Sequence, residues 1–354
     1  MTVIHVQKVS GVSGSEAHLL DVLPRLRDRG VDARMVVLHE GEPGAGEFGG
    51  LLRGAGVPVE ELRLRRDVDP AAFARLVRLL RRERPRVVHT HLVHADAYGL
   101  PAARLARVPA TVSTKHGFNA FRESRAFAAA DRALARLATA NVAISQGLAD
   151  YLAATEGFAA GSFRIVHYGI EAGAEPPAPP REPRLAAVGR LIPVKGFDVL
   201  LEAFAAARKE LPELTLELAG DGPLRAELER AAPGGVTFLG RVSPVAPLYE
   251  RSLAAVVPSR GEGFGMVALE AMERGRAVIG SRVGGLPELV EDGVTGLLVP
   301  PDDPEALAHA LQALGGNPAR AAAMGAAGRA RALAAFGADR PAEALDALYR
   351  TLAA

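Results

Sequence analysis

The sequence predicts an α/β protein built from two doubly wound parallel-sheet domains. Three observations carry that prediction. Short apolar runs alternate with amphipathic helical stretches along the chain, the pattern of βα units around parallel strands. At 354 residues the chain is too long for one ordinary core and suits two domains of about 150–200 residues. Between the halves lies EAGAEPPAPPREPR (171–184), too stiff and polar for either core, which reads as an interdomain linker. The expected boundaries are therefore 1–170 for the first domain, 171–184 for the linker and 185–337 for the second domain.

In the first domain the predicted strands are Val3–Gln7, Ala33–Leu38, Arg86–His91, Ala110–Thr114, Val142–Ser145 and Phe163–His167. In the second they are Leu185–Val188, Leu214–Leu218, Val236–Leu239, Ala254–Val257 and Ala277–Ile279. Each is a short segment of strand length, most of them apolar runs. Helical periodicity fills the intervals, for example Ala17–Arg29 and Val199–Glu210. The helix Pro70–Glu83 sets Phe73, Leu76, Val77 and Leu80 on one face and Arg75, Arg78, Arg81 and Arg82 on the other. A solvated face is the ordinary reading of those arginines; weak peripheral contact with an anionic membrane is the alternative. The tail Ala338–Ala354 carries a last amphipathic pattern at Leu345, Leu348 and Leu352.

Composition narrows the function. Apolar content of 49% with 23% charged residues is globular. The chain has no cysteine, which removes disulfides, thiolate metal sites and cysteine nucleophiles and fits a reducing cytoplasm. No signal-peptide pattern opens the sequence, and no window approaches 18 consecutive apolar residues. A formal net charge of +1 argues against a dedicated nucleic-acid binder. The excess of Ala and Arg over Lys and Ile points to a GC-rich bacterial gene.

The most informative stretch is PSRGEGFGMVALEAMERGRAVIGSRVGGLPE (258–288). The run Leu253–Val257 reads as a buried strand, a glycine-broken loop follows, and helical pattern covers about Met266–Arg274. Glu262 then sits in a loop at the carboxyl end of a strand, and Glu270 about one turn inside the next helix. The helix start between them offers unpaired N–H groups and a positive dipole end. Carboxylates flanking an anion site suit a ligand that has both hydroxyls and phosphates, such as a nucleotide sugar.

These motifs resemble glycosyltransferase family 4. The resemblance rests on the paired glutamates in G-E-G-F-G…E-A, followed by G-G-L-P-E-L-V and D-G-x-T-G-L-L-V. Further pieces are V-G-R-L-x-P-x-K-G-F-D (188–198), A-G-D-G-P (219–223), F-L-G-R-V (238–242) and S-T-K-H-G (113–117). The match is close through the C-terminal half and looser before it. It implies the GT-B fold, two Rossmann-like domains facing a central cleft, with the C-terminal helix crossing back onto the first domain. It implies a retaining transfer of a hexosyl unit from a nucleotide sugar, UDP- or GDP-linked, to an acceptor hydroxyl on a carbohydrate, lipid or small metabolite. A nucleotide-sugar 2-epimerase on the same scaffold, or a non-catalytic nucleotide-sugar binder, is the alternative.

The resemblance assigns roles. Glu270 would bond the ribose diol, and Glu262 with Gly263, Phe264 and Gly265 would hold sugar hydroxyls, beside Met266 and Val267 at the helix start. Arg190 and Lys195, five apart around Pro193, would otherwise be ordinary surface charge; the family motif makes them diphosphate contacts. Arg241 and Val242 would meet the nucleotide base through their backbone. His116 would orient the transferred sugar. Gly14, in S-G-V-S-G-S-E-A (10–17), would let the donor approach the backbone, although the segment also reads as a βα turn capped by Ser13 or Ser15. The residues expected to carry catalysis are Glu262, His116, Arg190 and Lys195.

No cofactor and no metal are expected. His89, His91 and His94 tempt a metal reading, but no carboxylate is placed to complete a set, and pocket lining or packing is preferred. Asp67–Val68–Asp69 matches the metal-nucleotide signature of the other large glycosyltransferase fold, yet Asp69 before Pro70 reads as a helix cap. Asp221 and Glu288 read as turn residues.

Overall fold

The computed structural model describes residues 1–118, 124–159 and 161–353, which fall into two compact units, 1–169 with 338–354 and 170–337. The first unit contains β1 (Thr2–Lys8), α1 (Gly14–Asp28), β2 (Asp32–His39), α2 (Pro43–Gly54), β3 (Val59–Arg63), α3 (Pro70–Glu83) and β4 (Val87–His91). It continues with α4 (Leu92–Leu105), β5 (Ala110–Lys115), α5 (Arg125–Ala135), β6 (Ala140–Ala143), α6 (Gln146–Glu156) and β7 (Phe163–Ile165). Its parallel sheet has the order β3-β2-β1-β4-β5-β6-β7. The second unit runs β8 (Arg184–Val188), α7 (Phe197–Glu210), β9 (Thr215–Ala219), α8 (Arg225–Ala231), β10 (Val236–Gly240), α9 (Ala246–Glu250) and β11 (Ala254–Val257). Then come α10 (Met266–Glu273), β12 (Ala277–Ser281), α11 (Leu286–Leu289), β13 (Gly296–Val299), α12 (Pro304–Gly315) and α13 (Pro318–Phe336). Its sheet order is β10-β9-β8-β11-β12-β13. Both orders reverse beside the first strand, the doubly wound arrangement that opens a ligand crevice at the carboxyl ends.

Several elements differ from the sequence reading. Strands β3 and β13 were not predicted: VEELR and GLLV are short edge strands whose side chains carry little periodic signal. The strand expected at Val142–Ser145 lies at Ala140–Ala143, because Ser145 is used as N-cap of α6, its hydroxyl accepting from the Leu148 amide at 3.0 Å. The expected Phe163–His167 ends at Ile165. Helix α1 starts three residues earlier than expected, at Gly14, since Glu16 reaches back to the Ser13 amide at 3.2 Å. The Pro-rich stretch 171–184 belongs to the second unit, where the Gly173 amide donates to Glu273 at 3.0 Å and the buried Arg276 guanidinium donates to the Pro177 carbonyl at 3.0 Å.

The last helix, α14 (Asp339–Ala353), returns to the first unit. It buries Ala342, Leu345, Leu348 and Tyr349 in the core shared with α1 and the sheet. Ion pairs Arg25–Asp339 (3.2 Å) and Arg29–Glu343 (3.5 Å) border that seam. The burial of three large side chains, each contributing about 1.5–3 kcal/mol, outweighs these exposed pairs.

The central strands β4 and β5 are buried along their full length, yet more than half of their residues are polar. The alternation of a strand sends those groups to opposite faces. His89, His91 and Thr114 face the α1 and α14 layer with His5 of β1, whereas Thr90, Ser113 and Lys115 face α4 and α5. On the second face Lys115 Nζ donates to Asp96 (2.8 Å) and Asp131 (2.6 Å), and Asp96 also accepts from Thr90 and Ser113. Burial opposes the ammonium charge of Lys115, but the two carboxylates overcome it and raise its pKa.

Replacing Leu345 by Ala should cost about 2–5 kcal/mol through the cavity it leaves. Chemical denaturation followed by circular dichroism measures this; an unchanged midpoint would mean that α14 contributes nothing to the first core.

Candidate functional site

In the second unit the loops that leave β8, β9, β11 and β12 lie backbone against backbone. The Leu191 amide donates to Asp221 (2.9 Å), the Arg260 amide to Val194 (2.8 Å) and the Gly285 amide to Glu262 (3.1 Å). Glycine makes this approach feasible. A Cβ on Gly196, at φ +65°, would fall 2.1 Å from the Pro258 carbonyl oxygen, and one on Gly220 would fall 1.8 Å from that of Gly189. These glycines are the ones in the V-G-R-L and A-G-D-G-P motifs, so their spacing reports loop packing before it reports ligand contact.

Lys195 and Glu262 meet at this point. Lys195 Nζ lies 2.6 Å from Glu262 Oε2, which also accepts from Ser259 Oγ at 3.1 Å. The pair is mostly buried, so each charge is held by the other. Sequence reasoning placed Lys195 on phosphate and Glu262 on sugar and did not pair them; Ser259 was missed, and no spacing rule singles it out. Arg190 is exposed, and among the described residues its guanidinium has no hydrogen-bond or ion-pair partner. Arg241 and Val242 follow β10, two strands from β8 at the edge of the sheet. Asp221 accepts from the Gly222 amide at 2.8 Å, a turn role.

Gly265, at φ +106°, is the N-cap of α10 and has no side chain to offer the amides of the first turn, Met266 and Val267. They form an uncapped positive helix end. Phe264 is buried. Glu270, one turn on, is half-buried, and among the described residues its carboxylate has no hydrogen-bond or ion-pair partner. Desolvation alone lifts its pKa to about 7. Glu270 in turn helps raise the pKa of the buried Tyr249 phenol, after burial itself. A desolvated carboxyl group without protein donors is a candidate to accept donors from a ligand.

The first unit holds His116 and Gly14. Gly14 is exposed, and a Cβ there would meet nothing within 4 Å, so no protein contact requires glycine. His116 Nδ1 lies 2.5 Å from the Tyr168 hydroxyl, and its Nε2 lies 2.9 Å from His91 Nδ1. Burial, then the nearby His18 and Lys115, hold it neutral with a pKa well below the ordinary range. His18 stacks on Tyr168 with ring centroids 4.2 Å apart. His5 was not singled out from the sequence. Its register opposite His89 brings His5, His89 and His91 together, with one ring nitrogen of each within 4.8 Å of the others. Only the pairing of β1 with β4, invisible in a single strand, reveals this. Asp69 caps α3, accepting from Ala71 (2.9 Å) and Ala72 (3.0 Å), while Asp67 pairs with Lys8 at 2.9 Å.

Known proteins resemble this chain in sequence and in fold. Residues 12–173 match the model of Glycosyltransferase Family 4 and residues 182–317 that of Glycosyl transferases group 1. The D-inositol 3-phosphate glycosyltransferase of Streptomyces avermitilis is 38% identical over 177 residues, 46% of this chain and 38% of that protein. That of Rhodococcus jostii is 41% identical over 161 residues, 42% of this chain and 36% of that protein. The chain thus spans under half the length of these relatives. Among solved structures, Anabaena Alr3699/HepE with UDP and glucose superposes with a TM-score of 0.85 at 22% identity, covering 99% of this chain and 100% of that one. Sucrose-phosphate synthase of Thermosynechococcus elongatus gives 0.77 at 24% identity, covering 99% of each chain. The fold is GT-B.

The raised pKa of Glu270 has a stability consequence. A carboxyl whose folded pKa of about 7 exceeds its unfolded value of about 4.5 favours the fold below the unfolded value, and that advantage is lost as pH rises to 7. Glu270→Gln should therefore melt higher than the wild type at pH 8, with the difference shrinking at pH 5. Equal differences at both pH values, by scanning calorimetry, would show that Glu270 ionises normally.

Proposed function

Since the chain belongs to glycosyltransferase family 4, we propose that it is a retaining hexosyltransferase that uses a UDP- or GDP-linked sugar. One observation carries the reading: a half-buried, unpartnered Glu270 beside the uncapped start of α10, one loop away from the Lys195–Glu262 pair. A ribose diol supplies the donors that Glu270 lacks. The diphosphate takes the helix end, Lys195 and Arg190, and Glu262 with the Gly263–Gly265 backbone takes sugar hydroxyls. Arg241 and Val242 meet the base, and His116 and Gly14 of the first unit serve the transferred sugar. The acceptor is a hydroxyl-bearing carbohydrate, lipid or small metabolite. A 2-epimerase receives no support from the relatives, which are named as glycosyltransferases.

The reaction breaks the bond between the anomeric carbon and the diphosphate oxygen, whose electron pair leaves with the phosphate. The acceptor oxygen bonds the same face of that carbon, and its proton passes to the departing phosphate oxygen. Charge grows on the leaving group toward the transition state. Fixed cations and the α10 dipole therefore lower the barrier more than they tighten the ground state. Lys195 must exchange Glu262 for phosphate, which frees the carboxylate for a sugar hydroxyl at the same moment.

We place the reaction in the cytoplasm with no cofactor beyond the donor. Among the described residues no helix is long and apolar enough to cross a membrane. The arginines of α3 are exposed, with Arg75, Arg78 and Arg81 donating to backbone carbonyls, so peripheral contact with anionic lipid stays a secondary reading.

Titration calorimetry with UDP and GDP tests the donor site. Glu270→Ala should lose about 1.5–3 kcal/mol for each charged hydrogen bond to the ribose, and affinity equal to the wild type would sink the assignment. Excess EDTA should leave turnover intact, because Arg190, Lys195 and the α10 start supply the positive charge and Asp69 is spent on its cap. Loss of activity on chelation, restored by manganese or magnesium, would overturn that reading.

A further inference from the structure

The ring nitrogens of His116 lead into an unbroken file of polar groups through the first unit. Tyr168 OH meets His116 Nδ1 (2.5 Å), His116 Nε2 meets His91 Nδ1 (2.9 Å), and His91 Nε2 meets His5 Nδ1 (3.0 Å). His5 Nε2 then faces Tyr349 OH at 3.5 Å, the longest link. Tyr349 OH meets His89 Nδ1 (2.5 Å), and His89 Nε2 meets Thr114 Oγ1 (2.6 Å). At every ring the file enters on Nδ1 and leaves on Nε2, or the reverse. A neutral imidazole donates from one nitrogen and accepts at the other. The direction of one link therefore fixes every link from Tyr168 to His5; at Tyr349, whose oxygen can accept from His5 while its hydrogen goes to His89, donor strength decides the next.

Charge cannot blur this order. Burial pushes all four imidazoles down, His5 to about 3 and His89, His91 and His116 well below their ordinary value. Burial likewise raises both phenols, Tyr168 and Tyr349, well above theirs. The direction follows from donor and acceptor strength. A phenol is a better donor than acceptor, and an imidazole nitrogen is a better acceptor than a phenol oxygen. With Tyr168 donating to His116 Nδ1 and Tyr349 donating to His89 Nδ1, both phenols are in their favoured role, and each ring carries its proton on Nε2.

We propose that this file locks His116 as a neutral Nε2–H imidazole, which makes His91, His5 and Tyr168 positioning residues for it. It rests on the assignment of His116 to the transferred sugar, and it deepens that assignment: with both ring nitrogens bonded inside the unit, the ring meets the sugar through its C–H edge or face and takes no proton. The file also competes with a metal reading of His5, His89 and His91. An ion there would need a lone pair from each ring, whereas His5 and His91 already spend facing nitrogens on each other.

Nuclear magnetic resonance of nitrogen-15-labelled histidine in the full chain at pH 7 reads tautomers without substrate, with His116→Asn identifying the signal. The expected wild-type signal is a single Nε2–H tautomer at His116. Tyr168→Phe, which removes one hydroxyl and is the variant most certain to fold, should let both tautomers appear. His91→Leu should do the same, whereas His91→Asn, whose amide oxygen can replace Nδ1 as acceptor, should restore the single tautomer. With UDP-sugar turnover as the second readout, Tyr168→Phe should lower kcat about tenfold with UDP affinity unchanged. A wild-type Nδ1–H or charged ring, an unaltered tautomer in Tyr168→Phe, or one tightly bound zinc per chain by elemental analysis would each overturn the proposal. Loss of the transferase reading alone would leave the tautomer result standing, so the two can fail separately.

Discussion

The candidate site of the second unit depends on how closely four loops approach one another at the carboxyl ends of β8, β9, β11 and β12. Backbone bonds tie them: Leu191 to Asp221, Arg260 to Val194, Gly285 to Glu262. A side chain on Gly196 or Gly220 would oppose this approach, since its Cβ would fall 2.1 Å or 1.8 Å from a neighbouring carbonyl oxygen. Strand order supplies the crevice; the glycines bring its walls close enough that Lys195 and Glu262, 67 residues apart in sequence, share a hydrogen bond. A rigid backbone scaffold of this kind lets long side chains exchange partners without moving the loops that carry them.

The two carboxylates of that site illustrate opposite solutions to burial. Glu262 is satisfied within the protein by Lys195 and Ser259. Glu270 is left without a partner among the described residues, and desolvation raises its pKa to about 7. In the proposed function, binding does different work at each: it substitutes a partner at Glu262 and supplies one at Glu270. The fold tolerates this because α10 also buries an apolar set, Ala268, Leu269, Ala271 and Met272.

Much of this was legible in the sequence, and the limits follow from physics. Central strands such as Ala254–Val257 and the α3 helix with its cap were readable because their signals are local: an apolar run, an amphipathic face, an Asp before a Pro. The edge strands Val59–Arg63 and Gly296–Val299 were not, since short edge strands owe their existence to a neighbour's hydrogen bonds. The same division holds in the site. Gly-x-Gly loops, Lys195, Glu262 and Glu270 stand in recognisable spacings, whereas the Lys195–Glu262 bond, Ser259 and the partnership of His5 with His91 arise from strands distant in sequence. The histidines of VVHTH were legible as a strand pattern, but their purpose needed β1 alongside.

The two polar layers on β4 and β5 have a consequence for how the chain finds its fold. Imidazoles and Thr114 occupy one face of these strands; Thr90, Ser113 and Lys115 occupy the other with Asp96 and Asp131. An all-valine strand that slipped by one residue would still bury valine on both sides. Here a slip of β5 by one position would thrust the Lys115 ammonium among neutral rings and leave two carboxylates facing a threonine. Mispairing is thereby penalised on both faces at once. The unusual polarity of the innermost strands works as a proofreading device, rejecting near-native arrangements that an apolar core of the same shape would accept.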